Sequence, residues 1–93
     1  MEAAALSTER DRDTLRLRLA GSWSLRAGIP GLDAIAAEIA RQPPRRLELR
    51  ADGLGDWDSA LLTFLTRLGV LCAERSVAID RSGLPDGVQR LLA

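Results

Sequence analysis

Asp58 and Ser59 stand where an apolar, helically spaced pattern begins, and of all the residues in this chain they are the best placed to do chemistry. An Asp or Ser side-chain oxygen at a helix start accepts a hydrogen bond from an otherwise unpaired backbone N–H. Either residue can fill that role here. A hydroxyl at the same place can instead carry a phosphate, which the helix dipole and free N–H groups stabilise. The added charge would then release a partner docked on an apolar surface. Catalysis has far less to work with. The sequence has no His, no Tyr, no Lys and one Cys, Cys72. That removes His-based acid–base chemistry and His- or Cys-cluster metal sites, and it leaves no nucleophile–base pair to assemble. Gly53 and Gly55 do not make a phosphate loop, and no GxGxxG or GK[ST] pattern occurs. The expectation is a non-catalytic chain with no cofactor and no metal, in which Cys72 is a core residue.

The neighbours of Ser59 suggest binding. Trp57 precedes it in a Gly-rich polar stretch and reads either as a lid on the core or as a partner anchor. At about 100° per residue, one side of the following helix carries Leu62, Thr63, Thr66, Gly69, Val70 and Ala73, with only Arg67 and Glu74 charged. Trp57, Asp58, Ser59, Leu62, Thr63 and Thr66 therefore outline a candidate docking surface; the alternative is an ordinary Ala/Thr-rich exterior.

The elements that must hold these residues follow from periodicity. Leu15, Leu17 and Leu19 alternate with Arg16 and Arg18; Leu47 and Leu49 alternate with Arg46, Glu48 and Arg50. Val77 and Ile79 with Ala78 and Asp80 give a shorter run. Period two marks half-buried strands. A weaker strand over 4–8 would pair with the first through the turn at 10–13 as a hairpin. Trp23 is expected to cover an edge of the core. Leu32, Ile35, Ala36 and Ile39 have helical spacing, with Pro30 in the first turn and Pro43-Pro44 as a stop. Leu61, Phe64, Leu65, Leu68, Leu71 and Cys72 stripe a second helix running to about Arg75. A third follows Leu84-Pro85 with Leu84, Val88, Leu91 and Leu92 inward, and residues 52–56 read as a loop. The order is β-β-α-β-α-β-α, a small mixed α/β sheet. Sharp alternation in the strands predicts helices mainly on one face and water on the other. On the wet face Arg16, Arg18, Arg46 and Arg50 either meet an acidic partner or are solvated strand residues that discourage aggregation.

The composition fits a single domain spanning residues 1–93 that folds as a monomer. Its 93 residues are 46% hydrophobic and 28% charged, an ordinary globular balance. Thirteen arginines cancel thirteen acids, which leaves no electrostatic footprint for nucleic acid or anionic membrane. No apolar run approaches the ~20 residues that span a bilayer. The lone thiol and the missing signal peptide fit a reducing cytoplasm. The end at Ala93, without a capping Gly, suggests an excised domain.

The succession of strand, Asp58-Ser59, helix, short strand and final helix resembles the STAS domain, named for sulfate transporters and anti-sigma-factor antagonists. In the antagonist branch the serine matching Ser59 is phosphorylated by a partner kinase. A second hydroxyl residue and Gly usually follow it there; this chain has Ala60 and Leu61. Leu19-Ala20-Gly21-Ser22-Trp23-Ser24-Leu25, Trp57-Asp58-Ser59-Ala60-Leu61-Leu62 and the segment from Gly83-Leu84-Pro85 to Leu92 look more like the N-terminal STAS domain of Mla-type ABC-transporter permeases. Those proteins belong to bacterial systems that move phospholipids between membranes. The resemblance covers about Leu15 to Leu92. It implies a cytoplasmic regulatory domain at the inner face of the bacterial inner membrane that contacts the transporter's ATPase subunit. The alternative it carries is an anti-sigma-factor antagonist, switched at Ser59 by an anti-sigma kinase. A small-ligand or nucleotide-binding role is a third possibility.

Overall fold

Leu15, Leu17 and Leu19 are each buried to 1% exposure or less, while Arg18 between them is exposed. That alternation fixes the sheet, because a strand sends successive side chains to opposite faces. The computed structural model describes residues 3–25 and 28–92. Strands β1 (Ala5–Asp11), β2 (Thr14–Trp23), β3 (Arg46–Trp57) and β4 (Ala78–Gly83) form one sheet in the order β1-β2-β3-β4. β1 pairs antiparallel with β2; β2–β3 and β3–β4 are parallel. Helices α1 (Asp33–Arg41), α2 (Ser59–Glu74) and α3 (Asp86–Leu92) complete the expected β-β-α-β-α-β-α order. The small mixed α/β sheet of the sequence reading is present.

The helices share one core with the leucine face of the sheet. Ile35 and Ile39 of α1, Leu61, Phe64, Leu65, Leu68 and Cys72 of α2, and Val88 of α3 join Leu15, Leu17, Leu19, Leu47 and Leu49 in a single cluster. Burying a side chain of this size contributes roughly 1.5–3 kcal/mol, so this one cluster dominates the stability. Trp23 belongs to its centre, not its edge. It is fully buried, meets Phe64 edge-to-face at 4.9 Å between centroids and donates its Nε1–H to Ala20 O at 2.9 Å.

Several boundaries differ from the sequence reading. The hairpin turn tightens to Arg12-Asp13, with Arg12 at φ +56°, and β1 extends to Asp11. The first hydrogen bond of α1 runs from Ala36 N–H to Leu32 O, so Pro30 precedes the helix. Leu91 is 62% exposed, not inward. Leu84, Val88 and Leu92 fall four residues apart and take the inward line, which leaves Leu91 beside it. Residues 52–56 are not a loop but part of the second half of β3, where Gly53 and Leu54 pair with Ala20 and Gly21 through an irregular register that ends at Trp57 opposite Trp23. Asp-Gly-Leu-Gly-Asp reads as a turn by residue type. Here Gly53 serves a close approach between strands: a Cβ on it would lie 3.0 Å from the Ala20 Cβ. The expectation about Ala93 lies outside the described residues. Among those described, no helix is long and apolar enough to cross a membrane.

Candidate functional site at the start of the second helix

β3 ends at Trp57 and α2 begins at Ser59, so Asp58 alone makes the junction. Its backbone is extended and both of its carboxylate oxygens accept hydrogen bonds. Oδ1 accepts from Ala60 N–H at 2.8 Å and Oδ2 accepts from Leu25 N–H at 3.1 Å. Its own N–H donates to Trp23 O at 3.2 Å. Of the two candidate caps, Asp58 is therefore the cap. It also ties the segment after β2 to α2, a second role that helix spacing could not reveal. Half-buried and committed to two backbone donors, Asp58 builds the site from within.

Ser59 is the exposed first residue of α2, and its hydroxyl makes no hydrogen bond among the described residues. Leu62, Thr63 and Thr66 follow on the same side at helical spacing. Thr63 and Thr66 are exposed, whereas Leu62 is half-buried and packs against the core. The Thr66 hydroxyl donates back to Leu62 O at 2.8 Å, which masks part of its polarity. Val70 continues the stripe at 54% exposure. Trp57 is half-buried at the edge of the core. Its ring lies against the start of α3, since a Cβ on Gly87 would sit 3.7 Å from Trp57 Cζ2. Ser59, Thr63 and Thr66 thus share one exposed side of α2, with Asp58 and Leu62 supporting it more than presenting it, while the Trp57 ring turns to α3. Beside Thr63 lies a cavity of about 390 Å³, lined also by Ile29, Leu32, Asp33, Phe64 and Arg67.

The opposite face of the sheet carries the four arginines, and each is paired. Arg16 reaches Glu9 at 3.1 Å and Glu48 at 3.4 Å, and Arg18 reaches Glu9 at 3.6 Å. Arg50 pairs with Glu48 and Arg46 with Asp80. Cross-strand register explains this, because Glu9, Arg16, Glu48 and Asp80 stand in one row across all four strands. Hydrogen bonds from Ser82, then the Arg46 guanidinium, hold the Asp80 carboxyl well below the usual carboxylate range. A face whose four arginines already share three carboxylates has less pull on an acidic partner, which favours the solvated-strand reading of these arginines. Burial pushes the Cys72 thiol up, as suits a core cysteine.

Arg10 is a residue that the sequence reading missed. It lies opposite Leu15, on the core side of β1, and donates to Gln42 O at the end of α1 at 2.6 Å. It also approaches Glu38 at 3.6 Å. A cation beside a helix C-terminus is favourable, so Arg10 fixes α1 to the sheet. Its position in the alternation, in phase with Leu6, was the available signal.

No family model matches this sequence, and no curated protein matches it.

Proposed function

We propose that this chain is a STAS-type regulatory and interaction domain, non-catalytic, serving a bacterial phospholipid-type ABC transporter at the cytoplasmic face of the inner membrane. In this reading it binds the transporter's ATPase subunit through the start and outer side of α2. One observation carries it: Ser59, Thr63, Thr66 and Val70 form an exposed strip of α2 on a side where Arg67 and Glu74 are the charged residues, beginning at a capped helix start that Trp57 precedes in the chain. A weakly polar strip of this kind suits a contact with an apolar partner surface. Calorimetry against the ATPase subunit of a bacterial phospholipid-type ABC transporter from the same cells tests it. Thr63→Arg places a charge in the strip without touching the core, and Ser59→Glu does so at its start. Each should weaken binding at least about tenfold, or ~1.4 kcal/mol. Wild-type affinity in both would end this reading.

A second reading draws on the free hydroxyl of Ser59, which no cap interaction occupies. As an anti-sigma-factor antagonist, the chain would be phosphorylated there by a partner kinase. Mass spectrometry of the protein purified from its own cells separates the two readings: phosphate at Ser59 supports the antagonist.

A further inference from the structure

A groove of about 440 Å³ lies between the C-terminal half of α2 and the edge strand β4. Leu65, Val77, Ile79 and Leu92 line it, and it reaches the fully buried Leu49. Gly69 also lines it, and a Cβ there would find no atom within 4 Å. Among the described residues, Arg81 is the one charged side chain lining the groove. Arg81 lines the groove together with Ile79, whereas Asp80 does not. That removes it from the ion-pair face, where all four arginines have carboxylates. Arg81 is exposed and makes no ion pair among the described residues.

We propose that this groove binds an alkyl carboxylate, with the chain against Leu65, Val77 and Ile79 and the carboxylate on Arg81. Small-molecule sites are typically concave, mostly apolar and roughly 300–1,000 Å³, with a few polar groups that fix orientation. A guanidinium suits a carboxylate because it offers two parallel donors. The charge selects the occupant: a neutral or cationic amphiphile gains the same apolar contact but leaves Arg81 unpaired. This site does not depend on the transporter reading, although it borders the proposed docking strip and shares Thr66 and Val70 with it.

The test is titration of the ¹⁵N-labelled chain with decanoate, and separately with decyltrimethylammonium of equal chain length, followed by amide shifts. Decanoate should give saturable shifts centred on Gly69, Val70, Ala73 and Ile79. Arg81→Gln, on the surface, should weaken decanoate about tenfold with the melting temperature unchanged. Gly69→Leu should fill the groove and abolish the shifts; if that variant melts early, Arg81→Gln alone decides. Absence of saturable shifts, equal affinity for the two head groups, or undiminished decanoate binding by Arg81→Gln would each overturn the proposal.

Discussion

Asp58 and Ser59 are adjacent and both suit a helix start, yet the structure assigns them different work, and their alanine variants should differ sharply. Asp58→Ala removes the acceptor for Ala60 N–H, a cap usually contributing about 0.5–2 kcal/mol. It removes a negative charge at a helix N-terminus, about 0.3–1 kcal/mol. It also frees Leu25 N–H, whose hydrogen bond to Oδ2 is exposed to water and adds roughly 0.5–1 kcal/mol. The sum is about 1.3–4 kcal/mol. For a domain of this size each kcal/mol lowers the melting temperature by roughly 4–8 °C, so a fall of about 5–30 °C is expected. Asp58→Asn keeps one acceptor and loses the charge, and should cost only about 0.5–1 kcal/mol. Ser59→Ala removes an exposed hydroxyl without a partner and should stay within about 0.5 kcal/mol of wild type. Urea unfolding followed by far-ultraviolet circular dichroism measures all three. Equal losses for Asp58→Ala and Ser59→Ala would refute the assignment of the cap.

Other outcomes follow from the packing and the charges. Leu65→Ala and Leu68→Ala should each cost about 2–5 kcal/mol in the same assay, since both face the single core. Gly83→Ala should destabilise by about 1–3 kcal/mol or more, because its Cβ would fall 2.1 Å from Leu49 O, a backbone atom of the central strand. Asp80 has its carboxyl pKa lowered by folding, so the stability it contributes is complete above the ordinary carboxylate range and is lost as pH falls through it. Asp80→Asn should therefore flatten the acid limb of the urea midpoint between about pH 5 and pH 2 and leave its shape above pH 6 unchanged.

The alternation of leucine with arginine made the sheet legible, because only one phase of a two-residue period buries the leucines. Helix α2 was equally legible, since its stripe runs over four turns and an acid opens it. Residues 52–56 were not, because Gly and Asp signal a turn locally while strand pairing is decided by Ala20 and Gly21, more than thirty residues away. Short α3 gave too few turns to fix the phase of Leu91. At the candidate site, the strip of Ser59, Thr63 and Thr66 was readable from spacing. The second bond of Asp58, to Leu25 N–H, depends on how the segment after β2 returns to α2, which no local pattern encodes. The groove beside Arg81 joins β4, α2 and α3 where the β3–β4 register is irregular, so tertiary packing and not strand period decides which side Arg81 serves.

The proposal that the outer side of α2 is a contact surface for an ABC-transporter ATPase subunit is tested most directly by cross-saturation NMR on the labelled chain mixed with such a subunit from the same cells. The account predicts the strongest saturation transfer at Ser59, Thr63, Thr66 and the Trp57 indole, with the amides of Arg16, Arg18, Glu48 and Arg50 unaffected. Transfer concentrated on that arginine-bearing sheet face, with Ser59 and Thr63 silent, would contradict it.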